Sequence, residues 1–559
     1  MGDYTPWVIR WMPPPEPVAI RPAKLWAVPD EPDRERPGPA RARGLPGVPD
    51  ASTRFTVGVA TSGFQVEGGY NGPGQPANNW VDWERCGRAE RSGVACDFWA
   101  RPAEMLDRAA AIGCTTFRLS VEWARLEPEA GRFDDAALAR YVEILEMCGS
   151  RDLEPMITLH HFTHPRWLGE EFWLRPASPD LFARHVQRVV PTLAPYCHRW
   201  VTVNEPNIVP LMGWITGAYP PGRHYAFADA FCVLDNLLAA HVLASDAIAH
   251  VQPGAEIVCN TSSSSIYESD RLVTDLLLLR DAGIPPSDVD RYVDERRALH
   301  DAAFPPRNAG EFALRRFYAA LSAYGTSRGA AGGPMWARLR HVARRPAPRR
   351  VIDVAYASPQ VRTVGAIGLN WYDPIASHSM GMPGRSTPGG GREWSPGRAM
   401  WEVPADAQAL RAWCRTEAAL HPGLPLWVVE NGMATRVVNG RPVPRKDGWD
   451  RPRYIREHFA ALADAVADGT PVTAYLHWSL VDNYEWGSYD SRFGIFGMDR
   501  SDPGGMVRWL DTDAAGRDAA GAFAAAARHL TGSRGQAGSE QDRPGQHRPE
   551  GHSELDVPG

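Results

Sequence analysis

The sequence predicts an α/β protein: a single closed (β/α)8 TIM barrel with long loops over its carboxyl-terminal rim and disordered termini. Two observations carry that prediction. Short apolar runs of strand length alternate with longer segments of helical period, eight times over, and such alternation implies parallel strands joined by crossover helices. Most of the runs end abruptly in polar or aromatic residues, as expected where strand ends gather on the one rim that carries chemistry in such barrels. The 559 residues do not argue against a single domain, because barrels of this kind run long as one unit.

In chain order, residues 1–50 are rich in proline, arginine and acidic residues, as in Met12-Pro13-Pro14-Pro15-Glu16-Pro17. Lacking any sustained period, they are expected to form a poorly ordered arm. The domain proper is expected over 51–531. Its candidate strands are 55–60, 115–119, 156–160, 200–204, 257–260, 366–370, 426–430 and 473–478. Helical spacing fills 101–112, 135–150, 180–193, 227–250 and 455–468. The span 262–357 is longer than one crossover and reads as an insert over the barrel mouth, with helical stretches at 271–279 and 311–324 before a Gly- and Arg-rich piece at 325–350. The basic run His341-Val342-Ala343-Arg344-Arg345-Pro346 has no interleaved aromatics and reads as a solvated loop rather than a nucleic-acid patch. The polar, glycine-rich tail 532–559 is expected to be disordered.

Composition narrows the function classes. Apolar content of 44%, charged content of 23% and a net charge of -6 from 60 basic and 66 acidic residues suit a soluble protein and oppose general polyanion binding. No nucleic-acid partner is expected. Nor is a membrane partner, since no stretch reads as membrane-spanning and the amino terminus lacks an export pattern. The eight cysteines are scattered without metal-ligand spacing, which suggests reduced thiols and a cytoplasmic location. The 21 tryptophans offer flat faces of the kind that sugar rings stack on.

Two strand ends stand out chemically. Leu426-Trp427-Val428-Val429-Glu430-Asn431-Gly432 is an apolar run that delivers a carboxylate, and Trp200-Val201-Thr202-Val203-Asn204-Glu205-Pro206 does the same. Pro206 disfavours right-handed helical backbone at Glu205. Two glutamates at two strand ends of one barrel suggest the pair that cleaves a glycosidic bond, one acting at the anomeric carbon and the other protonating the leaving oxygen.

From about residue 54 to 523 the chain resembles glycoside hydrolase family 1, the β-glucosidase family. The motifs that carry the resemblance run in order. They are Thr61-Ser62-Gly63-Phe64-Gln65-Val66-Glu67-Gly68, Phe117-Arg118-Leu119-Ser120, Thr158-Leu159-His160-His161-Phe162, Asn204-Glu205-Pro206, Asn370-Trp371-Tyr372, Val429-Glu430-Asn431-Gly432 and the run from Trp478 to Trp486. The resemblance implies Glu430 as nucleophile and Glu205 as acid/base, with the carboxyl groups about 5 Å apart in a retaining mechanism. It implies Arg118 and Tyr372 as contacts that keep Glu430 ionised, and Gln65, His161, Asn204, Trp478, Glu485, Trp486 and Phe493 as the grip on the non-reducing sugar. The expected partner is a small β-glycoside or oligosaccharide. No cofactor is implied, and no metal, because neighbouring residues of the His160-His161-Phe162-Thr163-His164 cluster point to opposite faces. Glu485, an acid that the phospho-β-glycosidase branch commonly replaces ahead of its phosphate-binding serine, lysine and tyrosine, is kept here with no lysine following, which favours unphosphorylated sugars. Phe162 in place of a commoner tryptophan, Trp371 in place of tyrosine and the long insert bear on sugar and aglycone preference. A transglycosidase would use the same two glutamates, and a degenerate glycan-binding member would be expected to lack one of them.

Overall fold

The computed structural model describes residues 55–306, 309–322, 324, 349–372, 400–403, 405–439, 441–501 and 506–540. The arm at 1–50, most of the Gly- and Arg-rich piece at 325–350 and the end of the tail lie outside the described residues.

Eight parallel strands close into a barrel: β1 Thr56–Ala60, β2 Thr116–Ser120, β3 Glu154–Thr158, β4 Arg199–Asn204, β5 Glu256–Ser262, β6 Ile367–Trp371, β7 Leu426–Asn431 and β8 Val472–His477. Each pairs with its sequence neighbour, and β1 closes on β8. Small and branched side chains fill the barrel interior, among them Ala60, Met156, Val201, Val258, Ala366 and Ala474. A larger apolar layer separates the strands from the surrounding helices, as expected of strands covered on both faces.

The helices of that layer are α1 Pro102–Ala111, α2 Asp135–Gly149, α3 Ser178–Leu193, α4 Phe227–Val251, α5 Arg350–Ala357, α6 Ala407–Leu420, α7 Arg451–Ala467 and α8 Ala519–Glu540. Side-chain caps start several of them: Asp134 accepts from the Ala137 amide, Asp406 from Ala409 and Asp450 from Arg453. Each satisfies a backbone donor that the first turn would otherwise leave without a partner.

Four expectations need correction. The third strand begins and ends two residues earlier than 156–160, so His160 and His161 lie just beyond it, and Trp478 likewise lies one residue past β8. The expectation that no stretch reaches membrane-spanning length fails for α4, whose 25 residues are long and apolar enough by length and composition. Within this fold 72% of that window is buried; the helix is apolar nearly all round because neighbours cover it nearly all round. Its buried Asp235, Asn236, His241 and Ser245 interrupt the run that sequence reading looked for. Finally, α8 continues to Glu540, into the stretch given to a disordered tail from residue 532. The alanine run at 524–527 is strongly helix-forming, and a helix once nucleated propagates readily.

Candidate active site

The site is built where β4, β5, β6 and β7 end. Register shifts fall just before the carboxylates: in β7 Val428 pairs with Leu369 but Glu430 with Asn370, and in β4 Val201 pairs with Val258 but Asn204 with Asn260. Each shift marks a bulge, which breaks the strict alternation of faces and re-aims a side chain. Glu205 follows with φ of 45°, left-handed backbone that costs a non-glycine residue roughly 1–2 kcal/mol. It is held there by its own amide donating to the Asn260 carbonyl at 2.9 Å and by its carbonyl accepting from Ile208 at 2.9 Å. The turn is what lets Asn204 and Glu205, neighbours in sequence, face one pocket. Beside Glu430, Gly432 is required sterically, since a Cβ there would sit 1.9 Å from the Trp478 carbonyl oxygen.

Glu430 is buried and takes two strong donors. Arg118 Nη1 donates to Oε1 at 2.6 Å and the Tyr372 hydroxyl to Oε2 at 2.8 Å. Arg118 is itself fully buried; its Nε donates to Thr158 at 2.9 Å and its Nη2 to Asn204 Oδ1 at 2.6 Å. Burial and the nearby Glu430 push the Tyr372 phenol well above its ordinary pKa, so it remains a donor.

Glu205 meets a different environment. Asn370 Nδ2 donates to its Oε1 at 2.9 Å, and the Ser262 hydroxyl also bonds it. Burial, reinforced by the charge of Glu430 and only partly opposed by Asn370, Ser262 and Arg118, pushes its pKa up to about 8. The two carboxyl groups therefore lie near enough to influence one another and have unlike partners: a guanidinium and a phenol on Glu430, an amide and a hydroxyl on Glu205.

The remaining residues named from sequence gather at the same rim. Gln65 Nε2 donates to the Tyr484 carbonyl at 2.9 Å and to Glu485 at 3.2 Å, and Asn483 also donates to Glu485 at 3.0 Å. Burial raises the Glu485 carboxyl to about 7 despite those bonds. The His161 ring lies between two indoles, stacked on Trp478 at 5.8 Å and on Trp486 at 5.7 Å. Burial, then the charge of Arg118, holds its pKa well below the ordinary value. Phe493 packs edge-on to Tyr372 at 5.8 Å. Gln65 Oε1 and His161 Nδ1 are buried polar atoms with no protein partner among the described residues. His160, by contrast, turns away and accepts from Trp173 Nε1 at 3.1 Å.

Sequence reading missed four contributors. Asn370 was quoted within a motif but given no role, although it bonds Glu205 directly. Asn260 and Ser262 sit at the end of β5, where the polar ending after an apolar run was the available signal. Tyr219, from the loop after β4, touches Trp80 at 4.9 Å and Phe162 at 5.8 Å. Burial first, then the charges of Glu485, Glu205 and Glu430, push its phenol well above the ordinary pKa; no local pattern marks it.

The profile described as Glycosyl hydrolase family 1 matches residues 50–278 and 375–508. A β-glucosidase of an Agrobacterium species is 26% identical over 468 residues, covering 80% of this chain and 90% of that protein. A 6-phospho-β-galactosidase of Streptococcus pneumoniae is 25% identical over 466 residues, with coverage of 80% and 93%. Among solved structures, a family 1 β-glucosidase from Thermotoga maritima superimposes with a TM-score of 0.60 at 20% identity, over 87% of this chain and 99% of that one.

Proposed function

The chain belongs to glycosyl hydrolase family 1, an enzyme family acting on glycosidic bonds, and on that premise we propose that it is a retaining β-glycosidase for unphosphorylated sugars. The observation that carries the proposal is the unlike treatment of two neighbouring carboxyl groups. Glu430, with Arg118 and Tyr372 as donors, is placed to attack the anomeric carbon as a carboxylate. Glu205, whose pKa burial and Glu430 raise, keeps a proton for the leaving oxygen. The first step forms the bond from Glu430 to the sugar and breaks the glycosidic bond as the proton of Glu205 passes to the aglycone. Esterified Glu430 no longer carries charge, so Glu205 releases its proton more readily. As a carboxylate it then takes a proton from water, which attacks the same carbon and frees Glu430.

Gln65 Oε1 and His161 Nδ1, an acceptor and a ring nitrogen left unpaired in a buried rim, suit the hydroxyl fringe of a pyranose, and Trp478 and Trp486 suit its apolar faces. Asn204 is placed for the 2-hydroxyl and Phe493 for the pocket wall. Glu485 supports the unphosphorylated reading: a carboxyl among Gln65, Asn483 and Trp478 disfavours a 6-phosphate by like charge. The relatives named above include both substrate classes, so the test is direct. 4-Nitrophenyl β-D-glucoside is expected to be hydrolysed with the β-anomer of glucose formed first by NMR, and its 6-phosphate to be processed at least about 100-fold more slowly. Preference for the phosphorylated substrate, or initial α-product, defeats the proposal.

A further inference from the structure

We infer that Asn260 is a positioning residue that carries the hydrogen-bond polarity set by Arg118 on Asn204 across to Asn370, and through Asn370 fixes the group that Glu205 meets. The inference rests on the roles proposed above for Glu205 and Glu430.

The polarity starts at Arg118. A guanidinium only donates, so the side-chain atom of Asn204 that faces Arg118 Nη2 at 2.6 Å is its oxygen. Asn260 reaches that same oxygen with Nδ2 at 2.8 Å, and with the same nitrogen it reaches Asn370 Oδ1 at 2.8 Å. Both amide hydrogens of Asn260 are thereby committed to oxygens. Its own Oδ1 is buried and accepts nothing among the described residues. Networks of this kind are what tell amide oxygen from nitrogen, and here they leave one consistent sense.

Two consequences follow from that sense. Asn370, with its oxygen toward Asn260, must present its NH2 group to Glu205, which it does at 2.9 Å; the same nitrogen lies a longer 3.4 Å from Asn204 Oδ1. Asn204, with its oxygen toward Arg118 and Asn260, presents its NH2 group to His161 Nε2 at 3.3 Å. A ring nitrogen that accepts carries no hydrogen, so the neutral His161 is protonated at Nδ1, the buried nitrogen without a protein partner. A hydrogen-bonded path thus joins Glu430 to Glu205 through Arg118, Asn204, Asn260 and Asn370, with Arg118 and Asn260 each donating to both neighbours, Asn204 accepting from both, and Asn370 donating to Glu205.

The backbone makes room for this residue. Asn260 pairs across the ladder with Asn204 on one side and Gly368 on the other. A Cβ at Gly368 would lie 2.7 Å from the Asn260 Cβ, closer than any side chain there can tolerate. The glycine in β6 therefore opens the space that the asparagine of β5 fills.

Asn260→Asp keeps the shape and replaces the donor by an acceptor. Asn204 stays fixed by Arg118, whereas Asn370 is free to turn its oxygen toward Glu205. That contact is favourable only while Glu205 is protonated, so it tolerates the acid step and opposes the base step. Asn260→Ala merely releases the amides. Wild type and both variants are compared by thermal melting and on 2,4-dinitrophenyl β-D-glucoside. For Asn260→Asp the expectation is a kcat about 100-fold lower, a burst of dinitrophenolate stoichiometric with enzyme, and recovery of turnover with azide as the β-glycosyl azide. For Asn260→Ala the expectation is about a 10-fold loss without a burst. A purely structural role predicts the opposite order, with the isosteric aspartate milder than the cavity-forming alanine and no burst; that result overturns the inference. Should the aspartate variant not fold, the titration of the Glu205 carboxyl followed by 13C NMR in wild type and Asn260→Ala decides: an upward shift in the variant, as the Asn370 bond that favours the carboxylate loosens, supports the inference, and an unchanged titration overturns it. Wild type inert toward every aryl β-glycoside would instead refute the proposed function, while the Glu205 titration in wild type and Asn260→Ala still judges Asn260.

Discussion

Two buried clusters of charge in this molecule invite comparison: the rim around Glu430, and the cluster that follows β5, where the helix Arg271–Leu277 packs near α6. In the second, Arg271 is 1% exposed, pairs with Glu417, and lies over the rings of Phe304 and Trp413 at 4.5 and 4.3 Å. Arg296 pairs with Asp275 at 2.7 Å, and His421 stands within 3.1 Å of Asp275 and 3.4 Å of Glu417. Burial alone pushes both carboxyls up, yet Arg271 and His421 more than offset it for Glu417, as His421 and Arg296 do for Asp275, and both end below the ordinary carboxylate range. At the rim the balance is reversed. One guanidinium, Arg118, bonds Glu430 and acts on Glu205, Glu485 meets amides and an indole instead, and Glu205 and Glu485 are held above the ordinary range. The difference separates structure from chemistry. A cluster in which Glu417 and Asp275 each pair with cations holds elements together, whereas one with surplus carboxylate is prepared for a ligand that develops positive charge.

The comparison breaks most visibly if activity and stability fail to separate. Glu430→Gln, whose amide oxygen can still accept from Arg118, is expected to lower kcat on an aryl β-glucoside by on the order of 10⁴-fold or more, with a melting temperature much nearer wild type than that of the next variant. Arg271→Met should do the converse, leaving Glu417 buried without its main cation and destabilising the fold by about 3 kcal/mol or more, measured by urea unfolding. The fraction that remains folded should keep its kcat/KM. If Arg271→Met lowers kcat/KM without loss of stability, the two clusters are not distinct in kind.

A pH profile sharpens the reading of the rim. Glycosylation needs protonated Glu205, and a pKa raised to about 8 keeps that form present through neutrality. The basic limb of kcat/KM should therefore fall as pH rises through about 8, and Glu205→Gln should abolish that limb. A limb that persists in the variant would assign the proton to another group. The smallest expected effect is that of Tyr372→Phe, which removes one of two donors to Glu430 and should lower kcat/KM about 10-fold without moving the basic limb.

Much of this molecule is determined by its sequence alone. The alternation of apolar strand-length runs with helical segments sufficed for the closed barrel, because binary pattern and period are local properties of the chain. The residue types at strand ends, above all Asn204-Glu205-Pro206 and Glu430-Asn431-Gly432, were enough to nominate the two carboxylates, and the resemblance to a known family nominated the groups around them. Tertiary structure decided the rest. The bulges in β4 and β7 and the left-handed turn at Glu205 choose which faces the side chains take, and a one-residue change of register reverses every face beyond it. The burial of α4 depends on neighbours, not on its own apolarity. The polarity that Asn260 carries is equally invisible in the linear chain. It joins residues 56 and 110 positions away, and the sense of a hydrogen bond between amides is fixed only when a group that can do nothing but donate, here Arg118, closes the network.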